Sequence, residues 1–135
     1  MSRMTKGRIL VVDDDSTNRQ CIADLLTAHG YVASTAEDGK DALSQLIQEV
    51  PDVIVSDLNM PKMSGLELLS LVRRGFPGTL LIAMSGAFAH ESVPDGVVAD
   101  AFFPKGQRSL NHLVSTIGEL LLSAPGSPST NGMTL

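Results

Sequence analysis

Along the chain, short apolar runs without alternation take turns with segments whose apolar residues recur at helical spacing, and polar or glycine-bearing stretches separate the two. Residues 9–12, ILVV, read as a first strand buried on both faces, and three aspartates, Asp13, Asp14 and Asp15, crowd its exit. From Ser16 the period becomes helical: Cys21, Ile22, Leu25 and Leu26 share a stripe, Asp15 or Ser16 is the N-cap and Gly30 the stop. Cys21 is therefore expected as a small core residue. Residues 31–35 predict a weaker strand. A polar turn at residues 37–41 then leads into a helix whose expected core face is Ala42, Leu43, Leu46 and Ile47, closed by Val50 and Pro51.

The third run, residues 53–57, VIVSD, ends abruptly on Asp57, and Pro61 keeps it from continuing. Behind it, a helix led by Gly65 carries Leu66, Leu69 and Val72 inward, with Leu68 and Leu71 flanking, and stops at Gly75 and Pro77. Residues 79–84, TLLIAM, predict a fourth buried strand that ends at Ser85 and Gly86. Between residues 87 and 98, Pro94 and Gly96 interrupt the next helical pattern, so a short or broken helix is expected there. Residues 101–103, AFF, form a fifth strand, and Pro104, which has no N–H, argues for an edge position. Ser109 caps the last helix, with Leu110, Leu113, Val114, Ile117 and Leu121 on its buried stripe.

Strand and helix alternating five times with short connections predict an α/β doubly wound sheet: five parallel strands in the order 2-1-3-4-5, flavodoxin-like, with right-handed crossovers and helices on both faces. In that order the first and third strands are neighbours at the topological switch point, where ligands collect beyond the carboxyl ends of the strands. Asp13, Asp14 and Asp57 then converge on one crevice. A strand-end aspartate alone is often only a turn cap. Three carboxylates in a small space repel one another, however, and the usual remedies are a raised pKa or a bound cation, of which the cation is the favoured reading; hard oxygen ligands with room for waters suit Mg2+. Ser85, at the exit of the fourth strand, adds a hydroxyl, and Lys105, beyond the fifth, adds an ammonium. Carboxylate nucleophile, divalent metal, hydroxyl and cation are the parts needed to accept a phosphoryl group and spread its charge over fixed partners. Asp15 is read differently, as a helix-start residue.

A length of 135 residues with 43% hydrophobic composition allows one domain with a proper core. The net charge is −5 and no basic cluster exceeds Arg73 and Arg74, which argues against direct contact with nucleic acid or an anionic membrane. A single cysteine excludes a disulfide scaffold, no apolar run approaches bilayer length, and the basic N-terminus lacks the apolar stretch of a signal peptide. A cytoplasmic protein is expected, with a leader over residues 1–7, a folded domain over 8–123 and a flexible Pro/Gly/Ser-rich tail or linker over 124–135.

With these residues in place, the chain resembles the receiver domain of bacterial two-component response regulators from about Arg8 to Leu122. The likeness is carried by ILVVDD at residues 9–14, by DLNMP at 57–61 with Gly65 behind it, by Met84, Ser85 and Gly86, and by Lys105 ahead of a chain-end helix. It implies that Asp57 is the phosphoacceptor. It implies that Asp14 and Asp57 bind Mg2+ directly with the backbone carbonyl of Asn59, while Asp13 reaches the ion through water. Ser85 would be the switch hydroxyl, Lys105 the phosphate-binding lysine and Phe102, three residues earlier, the aromatic switch. The partners implied are a histidine kinase or phosphotransfer protein as donor and a downstream protein target or output domain, with room for a homodimer on activation. Such a domain is not a conventional enzyme, although it promotes its own aspartyl phosphorylation and dephosphorylation. Two features depart from the family pattern. The usual Lys-Pro order is replaced by Pro104, Lys105 and Gly106, and the stretch from Ser85 to Lys105 is slightly short, which bears on the fourth helix of the family.

Other readings share parts of this pattern. A phosphotransferase of the haloacid dehalogenase class also uses a strand-end Asp and Mg2+, but wants a second Asp where Asn59 stands, and its cap domain does not fit the length. A flavodoxin-like electron carrier needs a Ser/Thr/Gly-rich phosphate loop after the first strand, where three aspartates would repel the flavin phosphate. A receiver-like interaction module that is never phosphorylated would lack the acidic pair or the acceptor Asp, and both are present.

Overall fold

The computed structural model describes residues 6–86, 96–106 and 109–123. In chain order the elements are β1 (Arg8–Val12), α1 (Ser16–Ala28), β2 (Val32–Ala36), α2 (Gly39–Gln48), β3 (Val53–Asp57), α3 (Gly65–Gly75), β4 (Leu80–Ser85), β5 (Ala101–Pro104) and α4 (Leu110–Ser123). All strand pairs are parallel and the order is β2-β1-β3-β4-β5, as the pattern of the sequence predicts. β5 lies at an edge with Pro104 opposite Ser85, a place where a missing N–H breaks no ladder on the open side.

Side chains that alternate along the central strands divide the core in two. On one face Leu10, Val12, Ile54, Leu81 and Ala83 pack with Ala42 and Leu46 of α2 and with Leu68, Leu69 and Val72 of α3. On the other, Ile9, Val11, Val55, Ile82 and Met84 pack with Ile22 and Leu26 of α1 and with Leu113 and Ile117 of α4. The strand entrances are held level by Asp52. Its N–H donates to the Arg8 carbonyl at 2.8 Å, its carboxylate accepts the Arg8 N–H at 2.8 Å, and its carbonyl accepts the Leu80 N–H at 2.9 Å. Strands of five, five and six residues that start level also end nearly level, so Val12 pairs with Ser56 and Asp57 with Met84.

The helix faces differ in part from the sequence expectation. Cys21 is exposed; the buried stripe of α1 is Ile22, Ala23 and Leu26. On α2, Ile47 is 78% exposed, because Ala42 and Leu46 already face the sheet and Ile47 stands one position, roughly 100°, past them. On α3, Leu68 is buried beside Leu69 and Val72, while Leu66 and Leu71 are exposed. An apolar stripe wider than the contact leaves its margin in water. Of the stretch 87–98 expected as a short or broken helix, residues 87–95 lie outside the described residues; Gly96 is in a turn at φ +84° and residues 97–100 lead irregularly into β5. The expected leader, apart from residues 6 and 7, and the expected tail, residues 124–135, likewise lie outside the described residues. Among the described residues no helix is long and apolar enough to cross a membrane.

Candidate functional site

Because β1, β3, β4 and β5 end on one rim, four of the residues singled out in the sequence meet there. Asp13 follows β1 and Asp57 closes β3 on the α1/α4 side of the sheet, continuing the alternation of Val11 and of Val53 and Val55. Both carboxylates are buried, Asp13 completely. The Lys105 Nζ, just past β5, lies between them, 3.1 Å from Asp57 Oδ2 and 3.1 Å from Asp13 Oδ2. Asp14 stands exposed at the mouth, and one carboxylate oxygen from each of Asp13, Asp14 and Asp57 lies within 4.8 Å of the other two. Lys105 is held where it is by its own N–H, which donates to the Ser85 carbonyl at 3.0 Å and continues the β4–β5 ladder past Pro104. The reversed order of proline and lysine thus still delivers the ammonium to Asp57.

Each group is steadied by bonds to the chain. The Asp57 Oδ1 accepts the Asn59 N–H at 3.1 Å, and the Leu58 N–H donates to the Met84 carbonyl at 2.8 Å, which extends β3 pairing one residue past Asp57. Gly65 packs directly onto this exit: a Cβ there would collide with the Asp57 carbonyl oxygen and the Leu58 Cα, so only glycine lets α3 begin so close. Asp15 is the N-cap of α1, its carboxylate accepting the Thr17 and Asn18 N–H groups at 3.0 and 3.1 Å. It serves the helix start, as expected.

Two residues absent from the sequence reading belong to the site. Asn18 Nδ2 donates to Asp13 Oδ2 at 3.2 Å, and Arg19 Nη1 donates to the Asp13 carbonyl at 2.7 Å. With the Asp15 N–H on Oδ1 at 3.0 Å, they fix Asp13 from every side. Their signal was local: polar residues in the first turn of a helix that starts beside an acidic pair can fold back on it. The Asn59 side chain was also missed; beyond its main-chain contact with Asp57, its Nδ2 donates to the Ser85 Oγ at 3.0 Å.

Ser85 and Phe102 lie apart from the carboxylates. Both are buried, and both side chains fall on the α2/α3 side of the sheet by strand alternation. Phe102 pairs with Ala83, two residues before Ser85, so it is a diagonal same-face neighbour of the serine. It is 5% exposed and packed among the α2/α3-face core.

The electrostatics follow from this packing. Burial pushes the Asp57 carboxyl above its ordinary value, and the Asn59 N–H and the Lys105 bond and charge counter this only in part, while Asp13 adds to it. For Lys105 burial is the largest single influence and acts downward, yet the bonds and charges of Asp13 and Asp57 together raise its pKa overall. Asp57 is a carboxylate reluctant to stay ionised beside an ammonium that stays charged.

The sequence matches the response regulator receiver domain over residues 9–105, most of the chain. The chain belongs to the response regulator receiver family. Among its relatives, the DNA-binding transcriptional regulator NtrC of Proteus hauseri is 38% identical over 96 residues, which cover 71% of this receiver and 20% of that protein. The receiver therefore corresponds to about a fifth of the length of such regulators. The fold is shared with the chemotaxis response regulator CheY4 of Vibrio cholerae, with a TM-score of 0.76 at 30% identity, covering 86% of this receiver and 99% of that chain. TrrA of Thermotoga maritima, whose structure contains Mg2+ and BeF, superposes with a TM-score of 0.75 at 29% identity, covering 84% of this receiver and 97% of that chain. A structure of the histidine kinase ThkA in complex with TrrA matches with a TM-score of 0.75 at 30% identity, over 84% of this receiver and 97% of that chain. The family is one of signalling proteins, not of conventional enzymes.

Proposed function

We propose that this receiver is a phosphorylation-dependent switch in which Asp57 accepts a phosphoryl group from the phosphohistidine of a histidine kinase or phosphotransfer protein. The observation that carries the reading is the buried Asp57 carboxylate with the Lys105 ammonium 3.1 Å from its Oδ2 and the carboxylates of Asp13 and Asp14 beside it. An Asp57 oxygen forms the new O–P bond as the N–P bond of the donor breaks, and the electron pair leaves on the imidazole nitrogen. Lys105 passes from Asp57 to a phosphoryl oxygen, and the Ser85 hydroxyl donates to another. Withdrawal of Ser85 toward the acceptor side keeps space open for its diagonal neighbour Phe102, so the aromatic reports the state of the site to the outer surface. Water later cleaves the acyl phosphate and resets the domain.

The donor set fits Mg2+: Asp14 is exposed and close to Asp57, and Asn59 offers a backbone carbonyl at the β3 exit, while Asp13, already bonded to Lys105, Asn18 and Asp15, suits an indirect contact through water. When bound, the ion supplies positive charge against the phosphoryl oxygens. The folded unit is read as residues 8–123, with 124–135 as tail or linker to an output domain or free for a protein target, and the setting as cytoplasmic. Homodimerisation on activation is part of the same reading. The family match favours neither a haloacid dehalogenase-type phosphotransferase nor a flavin carrier.

The test is incubation with Mg2+ and acetyl phosphate, followed by intact mass measurement. One added phosphoryl group is expected, absent in Asp57→Asn. Full labelling of that variant would place the acceptor elsewhere and refute the reading; an unlabelled wild-type protein that also fails with a phosphorylated donor would favour the unphosphorylated interaction module.

A further inference from the structure

Asp13 is completely buried, and two unlike sets of donors hold its carboxylate. One set is local: the Asp15 N–H donates to Oδ1 at 3.0 Å, and Asn18 Nδ2 donates to Oδ2 at 3.2 Å. The other is the Lys105 Nζ, 3.1 Å from the same Oδ2 and 3.1 Å from Asp57 Oδ2. An ionised carboxylate only accepts, so the nitrogen end of the Asn18 amide is the end that faces it. The Asn18 main chain is anchored separately, its N–H donating at 3.1 Å to the Asp15 carboxylate that caps α1. Asp13, Asp15 and Asn18 thus close a short loop of bonds in which Lys105 has no part. Lys105 is the partner that moves. Once it passes to a phosphoryl oxygen, Asp13 Oδ2 loses its ammonium, and Asn18 is the remaining side-chain donor to that oxygen among the described residues. Leaving a buried acceptor without a partner is costly, so with no second donor the carboxylate would turn to find one.

We propose that Asn18 is a positioning residue whose carboxamide keeps Asp13 seated at the acidic rim while Lys105 is engaged elsewhere, so that the carboxylate serves the Mg2+ site in both states of the switch. The inference rests on the reading of Asp57 as phosphoacceptor and goes beyond it by giving a residue in the first turn of α1 a task that begins when the lysine departs. A single hydrogen bond corresponds to roughly a threefold to tenfold change in an equilibrium constant, which is the size of effect at stake. Asn18 and Lys105 both line a cleft of about 310 Å³ together with Ile22 and Ser109, so shortening Asn18 to alanine widens this cleft and seals no new void into the core.

The experiment is a double-mutant cycle on the affinity for Mg2+ alone, measured by calorimetry on the whole chain as wild type, Asn18→Ala, Lys105→Met and the double variant. Lys105→Met keeps an apolar stem and removes the ammonium, which leaves Asp13 with the local donors only. Asn18→Ala is expected to change the Mg2+ affinity little beside Lys105 and to weaken it about threefold to tenfold in the Lys105→Met background. In wild type, the Asn18 side-chain amide NMR signals should stay displaced from the free-amide position when Mg2+ and beryllofluoride are added, and move to that position in Asp13→Ala. Equal losses in both backgrounds would reduce Asn18 to a helix-start residue, tighter Mg2+ binding by Asn18→Ala would mean that its amide competes with the ion for Asp13, and amide signals that go free in the beryllofluoride complex would mean that Asp13 leaves with Lys105; each result overturns the proposal. The wild-type signals decide the matter even where the double variant does not fold. A wild type that binds Mg2+ but whose spectrum beryllofluoride leaves unchanged would sink the acceptor reading, and this inference with it, before any Asn18 variant is compared.

Discussion

Burial pushes the Asp57 carboxyl above its ordinary value of 3.8, and the Asn59 N–H and Lys105 offset that only in part. A group with a raised folded pKa contributes stability that is fully present below its unfolded value and is lost as pH rises through the folded value. At neutral pH, then, the ionised Asp57 weighs against the fold. Asp57→Asn is expected to raise the thermal midpoint at pH 7 by about 2–5 °C, with the gain shrinking toward zero as pH falls below the ordinary carboxylate range. Scanning calorimetry from pH 7 to pH 3 checks this, and a destabilised variant at pH 7 would mean that the bond to Lys105 outweighs burial. Lys105 works in the other region: its pKa is raised overall, so its contribution is complete below the ordinary lysine value of 10.5 and disappears as pH climbs through the raised one. Titration of Lys105 does not enter the neutral-pH result, since Lys105 is charged throughout that range.

At the scale of elements, the close start of α3 against the end of β3 is what sets the Asp57 backbone. Gly65→Ala would drive a Cβ into the Asp57 carbonyl oxygen and the Leu58 Cα, both backbone, so neither can swing aside as a side chain would. Relief requires moving α3 or the β3 exit. The expected loss is about 2–3 kcal/mol in urea unfolding, with slower acetyl phosphate labelling in the molecules that stay folded. Gly39→Ala is the comparison: there the intruding Cβ meets the Met63 side chain, Sδ at 2.7 Å and Cβ and Cγ at 2.9 Å, so the stretch carrying Met63 must shift but no backbone atom is among the three nearest, and a smaller loss than at Gly65 is expected. On α1, the exposed Cys21 should react with iodoacetamide in the native protein as fast as in the urea-unfolded one; protection in the native state would mean that the helix is turned as the apolar stripe alone suggested.

For the whole molecule, a chain with net charge −5 gathers three carboxylates at one rim, and only the exposed Asp14 has no part in the Lys105 bridge. A divalent ion that binds the folded rim and not the unfolded chain stabilises the protein by mass action, about 1.4 kcal/mol at ten times its Kd. Millimolar Mg2+ is expected to raise the thermal midpoint beyond what NaCl of equal ionic strength does, and Asp14→Ala to remove most of that gain while leaving the metal-free midpoint near wild type. A Mg2+ effect that survives in Asp14→Ala would move the ion off this rim.

How much of this was legible in the chain itself follows from the period of each element. Strands here are short, unalternated and ended by Asp, Ser or Pro, so residues 9–12, 53–57 and 79–84 were legible as strands, the β-α alternation suits the observed order, and that order carries Asp13, Asp57, Ser85 and Lys105 to one rim. Helix azimuth was less legible. The apolar margins of α1, α2 and α3 are wider than the sheet can cover, and whether Cys21, Ile47 or Leu66 is buried depends on how each helix is rolled against the strands, which is a property of packing and not of local spacing. The bonds that make the site were not legible at all: Lys105 to Asp57 joins residues 48 apart and Asn59 to Ser85 joins residues 26 apart. No local periodicity encodes such contacts. Asn59 meets Ser85 because Asp52 starts β1, β3 and β4 level, so the ends of β3 and β4 lie side by side, and Lys105 meets Asp57 because β5 pairs with β4 and the Lys105 N–H extends that ladder to the Ser85 carbonyl.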